Sequence, residues 1–258
     1  MEAAERPRLA VRDAHALVFA ADMYGVQLDQ LAALLAGGGG TGAGAAAGAG
    51  VGVGARAGAA KAAAARWRTL GYAETARLGP GQPWLWVTRA GLSACGLRYS
   101  AARPGLSRLA HIRAVTEVRL ALEATGGFRD ARAFWRGERR IRSRHGVGLR
   151  QHLPDGEVHW PDGAPVAWAG ECWAVEAELT PKTVARTTAI MREILSRTGD
   201  YGCPAAEAAV PGQAPRHARA LYVCSSAALP TVLRARDALG PQLAGRIEVR
   251  DLPSGASL

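Results

Sequence analysis

The chain has 258 residues and carries 32 lysines and arginines against 22 aspartates and glutamates, a formal charge of +10. This surplus favours a polyanionic partner such as DNA, RNA or an anionic membrane, and the length is enough for two domains. The opening stretch, MEAAERPRLAVRD, mixes acids with bases and leads into no sustained apolar core. We therefore expect neither a secretory signal nor a membrane anchor, and we expect a cytoplasmic protein. The cysteines are far apart and form no CxxC pair, which argues against a zinc module or a disulfide framework.

The first predicted domain, residues 1–103, has three helices, a hairpin and a further helix. LDQLAALL places Leu28, Leu31 and Leu35 on one helical face, and an apolar run before it predicts a preceding helix. KAAAARWRTLGY has helical spacing, and the predicted helix ends at Gly71, a residue type common after helix C-termini. YAETARL and PWLWVT, joined by the turn GPGQ, predict a hairpin, after which Thr88 is expected to cap a short helix.

A glycine- and alanine-rich segment, Gly37 to Ala60, interrupts this order. Its side chains offer little apolar surface, so its composition predicts a disordered insertion within the domain. It separates the second predicted helix from the third without removing either.

Three helices, a hairpin and another helix are the order of a winged helix-turn-helix. In that module the third helix enters the major groove and the hairpin lies beside the phosphate backbone. Basic residues on the third helix and near the wing are therefore predicted to contact duplex DNA: Lys61, Arg66, Arg68, Arg77 and Arg89. The alternative is a winged helix that serves only as a protein-interaction module.

The composition changes at Pro104, and a second domain, residues 104–258, is predicted. LSRLAHIRAVTEVRLALEAT has the apolar spacing of a helix, with Ser107 as its expected cap. The following segment, AFWRGERRIRSRHGVGLRQH, concentrates arginines. Those predicted to contact phosphate include Arg139, Arg140 and Arg142. A solvated basic face is the alternative interpretation.

The rest of the chain predicts the order strand, strand, helix, strand, helix, strand. EVHWPDG and ECWAVEAEL are the first two strands, and ALYVCSS and RIEVRDL are the last two. KTVARTTAIMREILSR is a helix that Thr180 is expected to cap, with Pro181 in its first turn. TVLRARDAL is the second helix, and the whole forms an α/β layer with a mixed sheet.

The motifs LAHIRAVTEVRLALE, WPDG, VEAELTPK and ALYVCS, in this order, resemble the actinobacterial replication-relaxation proteins. In that family a winged helix precedes a domain similar to the PD-(D/E)xK nucleases, and the resemblance covers most of the chain outside the glycine-rich insertion. It implies an α/β chain, α+β overall, with an N-terminal winged helix domain and a C-terminal mixed-sheet, restriction-endonuclease-like domain. It also implies a role in the replication or maintenance of plasmids or other mobile elements.

The nuclease superfamily takes an Asp from one strand and (D/E)xK from the next, so the resemblance also implies a site. Asp162 matches the first element and Glu176 the acidic position, whereas Glu178 stands where lysine is usual. Lys182 is the amine that would replace the missing lysine. Asp162 and Glu176 would hold Mg²⁺ or Mn²⁺ through oxygen ligands, with Glu117 completing the ligand set. Alternatively, the two glutamates of the strand line a solvated edge and pair with nearby arginines.

Two classes of function follow from this pattern. The first is a DNA-binding protein of plasmid or mobile-element replication that also cleaves DNA as a divalent-metal-dependent nuclease. The second is a non-enzymatic DNA-binding regulator or adaptor, whose degenerate nuclease-like domain binds a protein partner such as a replication or transfer protein. The meeting of the acidic side chains at one place in the fold distinguishes the two, and the sequence leaves open whether the chain is an enzyme.

Overall fold

The protein, seen in a computed structural model, is described over residues 9–37, 52–145, 151–199 and 215–252. The chain divides between Ser107 and Arg108 into two compact units. Both units combine helices with a sheet, so the predicted mixed α/β class is confirmed. Among the described residues, no helix has both the length and the apolar character that crossing a bilayer requires.

The first unit contains the predicted helices and hairpin, and a short additional strand before the second helix. Its elements are α1 (Val11–Asp22), β1 (Val26–Gln27), α2 (Leu28–Gly37), α3 (Val53–Thr69), β2 (Ala73–Ala76), β3 (Trp84–Val87) and α4 (Arg89–Ala94). Strand β3 lies between β1 and β2 and is antiparallel to both. Leu17 of α1, Leu31 of α2, Trp67 of α3 and Leu85 of β3 are completely buried, so every layer of this unit contributes to its core.

Two helix ends predicted in this unit are confirmed. Gly71 follows α3 with a φ of +70°, and the N–H of Tyr72 donates to the carbonyl of Trp67. This left-handed ending suits glycine because it has no Cβ to clash with the backbone. The hydroxyl of Thr88 accepts a hydrogen bond from the N–H of Gly91 and so caps α4. Both ends depend on local contacts, which is why the sequence predicts them.

The predicted insertion, residues 37–60, is too long. Helix α2 includes its first residue, and α3 begins at Val53, so the last part of the segment is helical. The physical reason is that alanine is the strongest helix former and that extending an existing helix costs far less than starting one. Ala60 and Trp67 are completely buried and anchor the helix from which these turns extend. Residues 38–51 of the predicted insertion lie outside the described residues.

The second unit is built on a mixed sheet and contains the strands and helices predicted from the sequence, with β4, α6, α7 and α10 in addition. Its elements are α5 (Leu109–Ala124), α6 (Gly126–Asp130), β4 (Phe134–Gly137), α7 (Glu138–His145), β5 (Gly156–His159), β6 (Cys172–Glu178), α8 (Val184–Ser196), β7 (Arg219–Cys224), α9 (Leu229–Asp237), α10 (Pro241–Ala244) and β8 (Ile247–Asp251). The strand order is β4-β5-β6-β7-β8, antiparallel from β4 to β6 and parallel from β6 to β8. Met191 and Ile194 of α8 and Val232 of α9 pack with Tyr222 of β7 in one buried core.

Two helix starts predicted in this unit are wrong. Ser107 does not cap α5, because it lies inside a 3₁₀ turn and Arg108 is the residue that precedes the helix. Thr180 does not cap α8; the hydroxyl of Thr183 accepts a hydrogen bond from the N–H of Arg186, and the helix begins one residue after Thr183. Lys182 therefore precedes α8 and lies in the segment that leaves β6.

The tripeptide PDG occurs twice, at 154–156 and at 161–163, and its two glycines serve different purposes. Gly156 opens β5, where a Cβ would lie 1.9 Å from the nearest ring atom of the buried Trp135. Gly163 has a φ of +74° and open space around it. The first glycine is needed for packing and the second for its backbone conformation.

Gly156→Ala is expected to lower the free energy of unfolding by about 1–3 kcal/mol, because the indole of Trp135 must move to make room for the methyl group. Gly163→Ala is expected to cost about 1 kcal/mol, the strain of a left-handed alanine. Urea unfolding of both variants measures the difference. A loss for Gly156→Ala no larger than that for Gly163→Ala would contradict the close packing on β5.

Candidate functional site

The pairing of β5 with β6 places Asp155 beside Glu176. Gly156 pairs with Val175 in this antiparallel ladder, so Asp155, one residue before the strand, lies opposite Glu176. A carboxylate oxygen of Asp155 accepts a hydrogen bond of 2.8 Å from the N–H of Ala177, which holds the side chain against β6. An acid at the start of one strand thus faces an acid on the next.

The other two residues predicted as ligands, Asp162 and Glu117, have surroundings of their own. Asp162 is exposed in the turn between β5 and β6, and its carboxylate approaches Gly170. Glu117 on α5 forms an ion pair of 3.4 Å with Arg113, one turn earlier on the same helix. The structure therefore replaces Asp162 by Asp155 as the acid that faces Glu176. The repeated PDG indicates two candidate positions in the sequence, and the register of β5 against β6 selects the first.

Both glutamates predicted on β6 are buried, with Glu176 4% and Glu178 5% exposed, which contradicts a solvated edge. In the parallel ladder with β7, Glu176 lies opposite Tyr222 and Glu178 opposite Cys224. Strand β6 has neighbours on both sides, so these carboxylates lose much of their hydration. Buried charges of this kind destabilise a fold unless partners or an ion compensate them.

Lys182 reaches the candidate site. Its ammonium group donates a hydrogen bond to a carboxylate oxygen of Glu178. The pattern of the nuclease superfamily has its lysine two residues after the acid of this strand, at the position that Glu178 occupies here. The amine of Lys182 therefore lies next to the position where that pattern has an amine.

Two histidines that the sequence did not indicate bind the acidic residues. Nε2 of His111, on α5, lies 2.7 Å from Oδ1 of Asp155. Nε2 of His152, in the segment before β5, lies 2.7 Å from Oε1 of Glu176. Each of the facing carboxylates thus has its own imidazole partner.

The electrostatics of the site reflect crowded negative charge. Burial raises the pKa of Glu176 to about 7; the bond to His152 opposes this shift, and the charges of Asp155 and Glu178 add to it. Burial lowers the pKa values of His111 and His152, but their carboxylate partners outweigh burial and both pKa values are raised. The site therefore retains protons near neutral pH, where isolated carboxylates would have lost them.

The hydroxyl of Tyr222 is a further sign of incomplete compensation. It is buried and has no hydrogen-bond partner among the described residues. Burial raises the pKa of Tyr222, and the charges of Glu176, Glu178 and Asp155 raise it further. A buried polar atom without a partner, within electrostatic range of three carboxylates, fits a place where an ion or water binds.

A second group of side chains of the types that bind metals includes Glu157 on β5. Ligand atoms of Glu157, Cys172 and His217 all lie within 4.8 Å of one another. In the part of the chain that the structure describes, no other three such residues meet this limit, and the acids around Glu176 are more widely spaced. Glu157 is completely buried, and Arg216 donates to both of its oxygens at 2.9 and 3.1 Å.

The charge state of Glu157 argues against a cation at this second group. Although burial raises its pKa, hydrogen bonds from His159 and His217 and the charge of Arg216 hold the pKa of Glu157 far below its usual range. A cation would have to displace a guanidinium that binds the carboxylate with two hydrogen bonds. We therefore assign Glu157 a structural role and place the candidate cation site at Asp155 and Glu176, which no guanidinium holds with two hydrogen bonds among the contacts of the described residues.

The basic residues predicted to bind DNA in the first unit differ in availability. Lys61 and Arg68 are exposed on α3, and Arg89 is exposed at the start of α4. Arg66 instead binds Asp13 of α1, with an Nη2–Oδ2 distance of 2.6 Å. The guanidinium of Arg66 thus joins α3 to α1, and its contact to DNA stays a prediction.

The remaining basic residues predicted to bind DNA also differ in how exposed their side chains are. Arg77 is exposed and donates to the carbonyl of Gly81 across the hairpin turn. In the second unit Arg139 is only 8% exposed, so it offers phosphate little accessible surface, and its phosphate contact stays a prediction. Arg140 is half-buried, and Arg142 forms a 2.7 Å ion pair with Glu138 on α7. Among the residues predicted there, Arg142 presents the most accessible cation.

Comparisons of the chain with protein-family models, with curated proteins and with solved structures found no match. The likeness to the replication-relaxation proteins thus rests on the sequence motifs alone.

Proposed function

We propose that this protein binds duplex DNA through its first unit and cleaves it through its second, in a reaction that depends on a divalent cation. The observation that carries the proposal is the pair of facing carboxylates, Asp155 and Glu176, together with the amine of Lys182. This amine binds Glu178, which follows Glu176 by two residues on β6. One acid before a strand and a second acid on the next, followed by an amine, are the elements of a PD-(D/E)xK site. We infer from the sequence motifs that the biological setting is plasmid or mobile-element replication.

The side chains fit a hard divalent cation and supply complementary chemistry. Asp155 and Glu176 would hold Mg²⁺ or Mn²⁺, which would supply activation of a water and neutralisation of phosphate charge. Lys182 brings a positive charge to the same strand, where it stabilises negative charge that develops on the phosphate. Glu178 orients Lys182 and takes no direct part in the reaction.

Support for DNA binding comes from the first unit. The succession α1, α2, α3, hairpin, α4 is the order of a winged helix-turn-helix, with α3 in the place of the recognition helix. Lys61 and Arg68 present their charges on the exposed side of α3, and Arg77 and Arg89 present theirs at the hairpin and just after it. These cations match the phosphate backbone that flanks a major groove.

Cleavage of supercoiled plasmid in the presence of Mn²⁺ or Mg²⁺ tests the enzymatic part. Wild-type protein should nick the plasmid, and Glu176→Gln should reduce the rate by about 100-fold or more, since the amide keeps the shape of the side chain and removes its charge. Glu171→Gln, the same change outside the site, is the control and should leave the rate unchanged. Equal rates for wild type and Glu176→Gln would contradict the proposal.

A glutamate at the position usual for lysine favours a second candidate function, a non-enzymatic DNA-binding adaptor for a replication or transfer protein. This candidate predicts retained DNA binding with no cleavage under any divalent cation. The same plasmid assay, combined with a gel-shift titration, separates the two: binding with nicking supports the nuclease, and binding without nicking supports the adaptor.

Lys61→Ala combined with Arg68→Ala is expected to weaken binding to duplex DNA by about tenfold at moderate salt and to reduce the salt dependence by about two counterions. The physical reason is the loss of two fixed cations from the exposed side of α3. A gel-shift titration over a range of salt concentrations measures both effects. The control is Arg236→Ala with Arg250→Ala, which changes the net charge equally in the other unit. Equal weakening by the two pairs would assign the effect to net charge and contradict the role of α3.

A further inference from the structure

A glutamate at the start of α7 holds two arginines that come from different elements. Oε2 of Glu138 accepts a hydrogen bond of 3.0 Å from Nη2 of Arg108, the residue that precedes α5. Oε1 accepts a hydrogen bond of 2.7 Å from Nη2 of Arg142, one turn further along α7. The two oxygens of a carboxylate are about 2.2 Å apart, so the two Nη2 atoms lie within about 8 Å of each other. One carboxylate therefore holds two guanidinium groups close together.

Two contacts place this arginine pair beside the candidate site. The N–H of Glu138 donates to the carbonyl of Asp155 at 3.0 Å, one residue beyond the last pair of the β4–β5 ladder. His111 follows Arg108 by about one turn at the start of α5, and its Nε2 lies 2.7 Å from Oδ1 of Asp155. Both elements that carry the arginines thus contact Asp155, one through its main chain and the other through its carboxylate.

The apolar side of α7 anchors this helix to the segment before β5. Ile141 of α7 is completely buried and packs with Leu153, which lies two residues before Asp155. Arg142 follows Ile141 on the helix, and its side chain is 50% exposed, as is 46% of the side chain of Arg108. The two guanidinium groups are therefore held in place by the fold and remain accessible to a partner from solvent.

Charge and donor geometry decide what such a pair binds. Two guanidinium groups and one carboxylate leave the group cationic. A guanidinium has five N–H donors in a planar fork, so it can bind a carboxylate and a phosphate at once. In a nucleic-acid strand the phosphates follow one another closely. A strand with one phosphate at the cation site therefore presents a neighbouring phosphate to groups beside that site.

We propose that Arg108 and Arg142, positioned by Glu138, bind a backbone phosphate of the DNA strand that enters the site of Asp155 and Glu176. This inference rests on the proposed function and deepens it, because it names residues of the second unit that hold the strand next to the point of cleavage. Arg108 is outside the set of basic residues that the sequence predicts to contact DNA. Glu138 is a positioning residue and touches no phosphate.

Fluorescence anisotropy of the full chain with a short labelled DNA duplex tests the proposal. The titration is made with Ca²⁺, which binds oxygen ligands as Mg²⁺ does. Arg108→Gln with Arg142→Gln should weaken binding by about tenfold at moderate salt and lower the slope of log affinity against log salt by about one, since one phosphate contact is lost. Thermal melting by circular dichroism verifies that the variant is folded, and the two single variants replace the double variant if it is not.

A lysine pair and a control pair separate a held phosphate contact from net charge. Arg108→Lys with Arg142→Lys keeps both charges but lacks the planar fork, so it should bind at least about threefold more weakly than wild type. Arg236→Gln with Arg250→Gln removes the same charge from two arginines of the same unit that also pair with acids. This control should change the affinity by less than about twofold.

The other outcomes distinguish this inference from the proposed function. A loss in the glutamine pair no larger than in the control pair would show that the ion pairs of Glu138 only join α5 to α7, which overturns the inference. Equal affinity of the lysine pair and wild type overturns it as well, because charge alone then accounts for binding. Absence of DNA binding by wild type overturns the inference together with the proposed function. If wild type binds the duplex but nicks no plasmid, the cleavage proposal fails, whereas a tenfold loss in the glutamine pair still supports the phosphate contact.

Discussion

Replacing Glu157 by glutamine is expected to lower the free energy of unfolding by about 3–5 kcal/mol. Glu157 is completely buried, Arg216 donates to both of its oxygens, and Nε2 of His217 lies 2.9 Å from Oε1. Arg136 approaches the same carboxylate at 3.5 Å. A neutral amide leaves these guanidinium groups in the interior without their counter-charge, and an uncompensated buried charge is among the most destabilising changes known for a single residue.

Urea unfolding of Glu157→Gln beside Glu171→Gln measures this effect. Glu171 also pairs with an arginine, Arg219 at 3.3 Å, but its side chain is 27% exposed, so its loss should cost less than about 1 kcal/mol. Adding Arg216→Gln to Glu157→Gln should cost less than the sum of the two single changes, because the second change removes the charge that the first left unpaired. Similar losses for Glu157→Gln and Glu171→Gln would show that the Glu157 group does not hold the sheet together.

The elements of the fold that the sequence predicts are those specified by local contacts. The hairpin β2–β3, the cap at Thr88 and the glycine ending of α3 at Gly71 each depend on residues a few positions apart. Strand β4 and helix α7 were not predicted, because their residues lie in an arginine-rich run that hides the apolar pattern. Trp135 of β4 pairs with Val158 of β5, and this contact becomes visible only when the two segments meet.

The sequence predicts the acids of β6 that the structure buries, whereas the acid that lies opposite Glu176 is Asp155 and not the predicted Asp162. Glu176, Glu178 and Lys182 are adjacent in sequence, and the structure brings them together on and just after β6. The facing acid depends on the register of β5 against β6, which favours Asp155 over Asp162 and which two copies of PDG cannot distinguish by themselves.

No local sequence pattern predicts the contacts that the two histidines make with the acidic residues. His111 is 44 residues from Asp155, and His152 is 24 residues from Glu176. The basic residues show the same limit, because Arg66 has the exposed position expected of a DNA contact and yet binds Asp13, 53 residues away. Long-range partners of this kind follow from the assembled fold and are absent from the spacing of a single helix or strand.

Without a cation, the free energy of unfolding of Glu176→Gln is compared with that of wild type at two pH values. The difference in favour of the variant is expected to be about 2 kcal/mol larger at pH 8 than at pH 5. Burial raises the pKa of Glu176 in the folded protein from 4.5 to about 7. Between these values the folded state binds the proton more tightly than the unfolded state, so wild-type stability falls as the pH rises through 7. The pKa of His152, which burial lowers, is raised overall by its hydrogen bond to Glu176 and gives a slope of the same sign. Glutamine cannot titrate and removes this slope.

Urea unfolding at pH 5 and pH 8 in the presence of a chelator gives the four free energies for wild type and Glu176→Gln. The control Glu248→Gln makes the same chemical change at a side chain that is 42% exposed, and its difference from wild type should stay constant between the two pH values within about 0.5 kcal/mol. A saturating transition ion should reverse the order at pH 8, because it compensates the carboxylates of the wild type and finds a weaker site in the variant. If the stability of wild type relative to Glu176→Gln is the same at both pH values, the charge around Glu176 is already compensated without an ion, and Asp155 and Glu176 are not a cation site.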